Sequence, residues 1–254
     1  MNYGLYLSAT GVLTNSYRQD VIANNLANAE TVGFKRDVAI FRQRLTEAME
    51  SRLDPRTWSN PLLEKIGGGT LIAPTGLDRS QGELESTGNP LDVGIQGDGY
   101  LAIRDGREIR LSRNGQMLVD RAGRIVQATT GLPVLDERMR PIVVDGSLPV
   151  SIADDGTIRQ NDQPLAKLGL FDVPDPKLLR KHEGMSFTYP DVTKRAIAGT
   201  GNLRVGFVER SNVDPAKELT ALMESQRQLE ANANMIRLQD QMLARVVSEV
   251  GKIG

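Results

Sequence analysis

Residues 212–250 read NVDPAKELTALMESQRQLEANANMIRLQDQMLARVVSEV. Within that stretch Leu219, Leu222, Gln226, Leu229, Ala233, Ile236, Asp240, Leu243, Val247 and Val250 recur in alternating steps of three and four. That is the spacing of a heptad seam on one long helix. Its start is marked by Asn212 or Asp214 as cap and by Pro215, which suits the first helical turn. Met223, Met235, Leu238, Met242 and Val246 widen the apolar face beyond a narrow two-helix seam. Such a face is broad enough for more than one neighbour. Gly251 and Gly254 end the pattern.

A second, thinner seam lies at the other end of the chain. Leu5, Ala9, Val12, Ser16, Gln19, Ala23 and Leu26 keep the same alternation, and Asn28 and Gly33 mark its end. A stripe of small side chains does not stabilise an isolated helix in water. The two seams match in period and lie far apart in sequence. They are expected to pair with each other and with other subunits.

Residues between the seams change character. Asp98-Gly99, Asp105-Gly106, Asn114-Gly115, Asp145-Gly146 and Asp155-Gly156 are tight-turn dipeptides. Short strand-like runs separate them, at Tyr100 to Ile103, Met117 to Val119, Arg124 to Val126 and Pro141 to Val144. A short helix is expected over residues 176–181 and another, in the connector, over 41–52. The fold class read from these patterns is α+β. The N- and C-terminal helices pair as a coiled coil, and the central domain is mainly antiparallel β. The divisions are residues 1–30 for the N-terminal axial helix, 31–75 for a connector, 76–210 for a β-rich outer domain and 211–254 for the C-terminal axial helix.

Composition narrows the function. The 254 residues carry 31 Lys plus Arg against 32 Asp plus Glu, a net charge of −1, so the chain has no global pull toward nucleic acid or an anionic membrane. There is no cysteine, which excludes disulfides, thiolate zinc sites and cysteine nucleophiles. No apolar run reaches the roughly 20 residues of a membrane helix. The N-terminus lacks the basic start and apolar core of a cleavable secretory signal. Gly94, Gly97 and Gly99 have the wrong spacing for a nucleotide loop. Asp154-Asp155-Gly156 supplies too few ligands for calcium and reads as a turn. His182, the single histidine, has no nucleophile motif beside it and reads as a surface residue. Catalytic, cofactor and metal residues are therefore none. Lys35-Arg36, Arg42 and Arg44 form a mild basic cluster, read either as a solvated helix face or as a contact for an acidic partner subunit.

Three groups of residues carry a resemblance. Asp20-Val-Ile-Ala-Asn-Asn-Leu-Ala-Asn28 followed by Thr31-Val-Gly-Phe-Lys35 resembles the signature of the flagellar rod and hook family. So does Ser211-Asn-Val-Asp-Pro215 with Gln226-Arg227 and Glu230-Ala-Asn232. Thr87 to Asp92, Ile95 to Tyr100, Ser112 to Gly115 and Gly131 to Val134 are similar to the family's outer domain. The matches fall in family order over nearly the whole chain. Leu91-Asp-Val, Gly99 to Ile103 and Ser151 to Thr157 resemble the proximal rod type, which is favoured over the distal type that the connector and Asp240 to Leu243 resemble.

The resemblance implies a structural subunit of the basal-body rod, exported unfolded and polymerised into the axial drive shaft for motility. It implies a periplasm-spanning location and export through the flagellar type III apparatus without a cleavable signal. The implied partners are other copies, other rod subunits, the export apparatus and, at a distance, ring proteins, with no nucleic acid and no small-molecule substrate. The expected assembly interface is Leu5, Ala9, Val12, Asn24, Asn25, Leu26, Asn28, Gly33, Leu219, Leu222, Leu229, Ile236, Met242 and Leu243. Two rivals remain: a β-domain surface binding module on a helical stalk, and a periplasmic enzyme acting on cell-wall glycan.

Overall fold

The computed structural model describes residues 3–45, 69–182 and 185–251. Two long helices bracket a run of short strands: α1 spans Tyr3–Ala27 and α3 spans Pro215–Val250. A one-turn helix, α2, covers Val192–Arg195. The chain divides into two units. One holds the described residues of Met1–Ala27, Asp37–Asp78 and Asp214–Gly254. The other holds Asn28–Arg36 and Arg79–Val213.

In the helix unit, α1 and α3 run antiparallel alongside one another, and α1 also packs on a hairpin of β1 (Asp37–Gln43) and β2 (Thr70–Leu77). The ring of Tyr17 on α1 meets Phe41 of β1 edge-on, at 6.3 Å between centroids. The hairpin register shifts between Val38 and Ile40. The shift lies opposite Pro74, and a bulge there accommodates a residue that cannot donate to the ladder. This corrects the helix expected from Phe41: residues 41–43 are strand, and the part from 46 onward lies outside the described residues.

The expected coiled coil is also corrected. The seam residues Leu219 (49 % exposed) and Leu243 (37 %) and the flanking Met242 (59 %) face solvent. The faces that meet are small and polar instead. A Cβ built on Gly4 would lie 2.6 Å from the Gln239 amide nitrogen, and one on Gly11 would lie 2.7 Å from that of Asn232. The Ser225 hydroxyl donates to the Asn15 carbonyl at 3.2 Å. Ser225, Asn232 and Gln239 therefore form the facing stripe, one heptad apart. Knobs-into-holes packing needs apolar knobs on both helices. Here α1 supplies Gly4, Gly11 and the Asn15 carbonyl, so α3 approaches through amide and hydroxyl side chains, with Leu222, Leu229 and Ile236 half-buried and Leu219, Met223, Met235, Leu238 and Met242 left exposed.

In the β-rich unit the largest sheet has six antiparallel strands in the order β13-β14-β6-β5-β12-β15. These are β13 (Arg180–His182), β14 (Ser186–Thr188), β6 (Glu108–Ser112), β5 (Tyr100–Asp105), β12 (Leu170–Asp172) and β15 (Ile197–Ala198). A three-stranded sheet joins β9 (Val150–Ile152), β10 (Thr157–Gln160) and β11 (Gln163–Lys167). Three further pairs complete the unit: β4 (Val93–Gln96) with β16 (Asn202–Val205), β3 (Leu84–Ser86) with β17 (Phe207–Glu209), and β7 (Met117–Val119) with β8 (Ile125–Gln127). The core is aliphatic, built on Val93, Ile95, Leu101, Ile103, Ile125, Val134, Ile142 and Ile158.

Acidic residues tie their own turns. Asp155 accepts from the backbone N–H and hydroxyl of Thr157 at 2.9 and 2.8 Å, so its carboxylate serves a turn. Asn114-Gly115 is not a hairpin tip. Both residues are buried, and the Gly115 carbonyl accepts from the Val93 N–H at 3.0 Å. The helix expected over 176–181 is one 3-10 turn, Pro176–Leu178, followed by β13.

Candidate assembly interface

The start of α3 shows which of the two cap candidates acts. The Asp214 carboxylate accepts from the backbone N–H groups of Ala216 and Lys217 at 3.1 and 3.3 Å, with Pro215 as the first helical residue. Hydrogen bonds from the Lys217 side chain and from these N–H groups hold its carboxyl below the usual value. Asn212 works elsewhere. Its amide oxygen accepts from the Arg36 N–H at 2.8 Å, and its amide nitrogen donates to the Ser80 carbonyl at 3.1 Å.

The expected interface residues separate into three groups. Leu5, Ala9, Val12, Leu26, Leu222, Leu229 and Ile236 are half-buried in the helix unit. Asn24 is exposed, as are Leu219, Met242 and Leu243. Asn25, Asn28 and Gly33 are held within the chain. Asn25 is 1 % exposed and makes a two-point clamp on the backbone of Asp37, accepting from its N–H at 2.9 Å and donating to its carbonyl at 2.8 Å. That clamp fixes the first residue of β1. Asn28, half-buried, accepts the Thr31 N–H on its carbonyl at 3.1 Å.

Part of the uncovered surface of the helix unit is apolar. On α3 the exposed residues include Met235, Leu238, Met242 and Val246, which share one side of the helix. Leu243 and Val247 continue the face that Ile236 and Gln239 turn toward α1, but every described residue from Asp240 to Ser248 is exposed. Val38, Ile40, Leu71 and Ile72 of the hairpin are exposed too. Exposed apolar patches larger than a few hundred Å² are rare on monomers, which makes this face the candidate interaction surface.

Sequence reasoning missed a buried ion cluster in the β-rich unit. The Lys35 ammonium lies 2.6 Å from Glu209 Oε1, and Arg113 Nη1 lies 3.3 Å from Oε2. Lys35 and Glu209 side chains are 2 % and 0 % exposed. Gly82 N–H also donates to Glu209 Oε1 at 2.9 Å, and Lys35 donates to the Ser80 carbonyl at 2.7 Å. Removing Glu209 from this cluster should cost about 3–5 kcal/mol, because the buried Lys35 charge would lose this carboxylate. Lys35 thus belongs neither to a solvated face nor to a partner subunit; its acidic partner is in the same chain. The available signal was position: Lys35 ends the N-terminal signature and Glu209 stands two residues before the C-terminal one.

A chain with long terminal helices around a β-rich unit, apolar helix surface left uncovered and its polar clusters spent on internal clamps is built as an assembly subunit. The comparisons give the assembly. Residues 5–35 match the family described as "Flagella basal body rod protein". Residues 204–249 match "Flagellar basal body rod FlgEFG protein C-terminal". The chain is 31 % identical over 258 residues to "Flagellar basal-body rod protein FlgG" of Buchnera aphidicola subsp. Schizaphis graminum, covering 95 % of this chain and 97 % of the relative. It is 33 % identical over 240 residues to "Flagellar basal-body rod protein FlgF" of Mesorhizobium japonicum, covering 93 % of each. To the FlgF of Caulobacter vibrioides it is 28 % identical over the full length of both.

The chain belongs to the flagellar basal-body rod protein family. It is a structural component of the basal body and serves motility as part of the rod. No described helix is long and apolar enough to cross a membrane.

Proposed function

We propose that this chain is a non-enzymatic subunit that leaves the cytoplasm through the flagellar export apparatus without a cleavable signal. It then polymerises, with copies of itself and other rod subunits, into the periplasm-spanning shaft. The observation that carries this reading is the uncovered apolar surface of the helix unit. Burying a side chain that is about half exposed contributes roughly 1 kcal/mol. Met235, Leu238, Met242 and Val246 together then favour association by several such increments. Residues 1–30 and 211–254 act as the axial segments, 31–75 as connector and 76–210 as outer domain. Leu5, Ala9, Val12, Leu26, Leu219, Leu222, Leu229, Ile236, Met242 and Leu243 supply the apolar contacts and Asn24 a polar one, while Asn25, Asn28 and Gly33 serve the assembly only indirectly, by holding the segment after α1 in place.

We assign the subunit to the proximal rod on the likeness of residues 91–103 and 151–157 to that type. Relatives named FlgF and FlgG share comparable identity, so the position is decided by locating the subunit. The test is to delete the gene, restore it with a tagged copy and image purified basal bodies. Tagged subunits within the rod, with rods missing in the deletion, support the reading. Intact rods in the deletion, with the tag on the cell surface, favour the stalked binding module.

A further inference from the structure

Residues Asn28–Arg36 form a strap on the β-rich unit. Its backbone is tied at Gly33, whose N–H donates to the Glu209 carbonyl at 2.7 Å, and at Arg36, whose N–H donates to the Asn212 amide oxygen at 2.8 Å. The Lys181 ammonium donates to the Lys35 carbonyl at 2.8 Å and lies 3.5 Å from the centroid of the Phe34 ring. Phe34 itself is fully buried, with Ala29 and Val213. Seating the strap therefore carries the Lys35 ammonium into a site closed to water.

We propose that the strap is a completion latch: it seats only when the Glu209 carboxylate is in place, so the segment continuing α1 is anchored only in a chain whose last strand has formed. The reasoning is electrostatic. A buried ammonium needs a compensating charge, and the carboxylate that supplies it stands 174 residues later in the chain. Glu209 ends β17, which is held by pairing with β3. The two charges facing Glu209 are not equivalent. Arg113 belongs to the β-rich unit and lies over the Tyr100 ring, 5.0 Å from its centroid, so it stays with that unit when the strap leaves. Lys35 arrives only with the strap. The residues that meet here, Lys35 and Glu209, lie in the two separate segments matched by the family.

This asymmetry gives the test, amide hydrogen exchange on the full-length chain and three variants. In Glu209→Gln, exchange of residues 28–36 rises at least tenfold while β5 and β6 keep their protection. In Lys35→Met, the strap stays within threefold of the unmodified chain, because Arg113 still compensates Glu209. In the double variant Lys35→Met with Glu209→Gln, strap protection returns most of the way, because no lysine remains to be buried. The proposal is overturned if Glu209→Gln leaves the strap protected. It is overturned equally if β5 and β6 lose protection in step with the strap, if Lys35→Met opens it as far as Glu209→Gln does, or if the double variant fails to recover.

Discussion

Gly33→Ala tests how tightly the strap fits. Gly33 has φ +72°, and a Cβ there would lie 2.4 Å from the backbone nitrogen of Asn114 and 2.6 Å from the carbonyl carbon of Arg113. Both obstacles are backbone, so no rotamer change relieves them. The left-handed conformation alone costs a non-glycine residue about 1–2 kcal/mol. Forcing a methyl into filled space costs a further ~1–3 kcal/mol. Together these weaken the seated strap by about 2–5 kcal/mol, which at tenfold per ~1.4 kcal/mol is an increase of roughly 30- to several thousand-fold in strap opening. Gly88 is the matched control: its φ is +70°, and a Cβ there meets nothing within 4 Å. Gly88→Ala should show the dihedral cost alone, an increase of no more than about thirtyfold in local opening. Amide exchange of residues 33–36 and 87–88 reads both. Equal increases in the two variants would refute the steric argument, because the backbone contact with Asn114 would then add nothing.

Three other perturbations follow from the same geometry. Asn25→Ala removes both arms of the clamp on Asp37 and should cost about 1–3 kcal/mol, seen as faster exchange at the start of β1 with β5 and β6 unchanged. Leu238→Glu and Met242→Glu replace exposed residues; each should change monomer stability by less than about 0.5 kcal/mol in urea unfolding yet abolish incorporation into rods and motility. Acid should destabilise the β-rich unit through its turns. Hydrogen bonds from the Arg124 backbone and guanidinium hold Asp120 below the usual aspartate value, those from Ser147 do the same for Asp145, and those from Thr157 do so for Asp155. Carboxyls depressed in the folded state add stability above their unfolded pKa and lose it as pH falls through the folded value. The urea midpoint should therefore fall steadily as pH drops below the usual aspartate range, and Asp155→Asn should flatten part of that fall.

The strands and chain ends were legible because their signals are local. Tyr100 to Ile103 and Met117 to Val119 are short apolar runs beside turn residues, and they form β5 and β7. Both long helices were legible from periodicity. Which face of each is covered was not. Heptad spacing locates apolar residues without saying which of them the same chain covers: Leu222, Leu229 and Ile236 are half-buried, whereas Leu219 and Leu243 are exposed. The intramolecular contact was left to Gly4, Gly11, Ser225, Asn232 and Gln239, which no hydrophobic period marks. The β1–β2 hairpin was hidden by Pro74 and Gly76, residues that count against a strand until a bulge absorbs them. Lys35 and Glu209 were invisible as a pair because charged residues are ordinarily at the surface, and nothing local links two positions so far apart.

In the proposed assembly the apolar stripe of α3 is open in the free subunit and covered in the rod. The chain has no cysteine, so Met242→Cys carries one thiol, and its maleimide labelling can be compared between purified monomer and isolated basal bodies. Arg121→Cys, at an exposed position in the β-rich unit, corrects for reagent access. The account predicts rapid labelling at position 242 in the monomer and at least tenfold slower labelling in the assembled rod. Equal labelling in both states would contradict it, since the stripe would then face solvent throughout the subunit's working life.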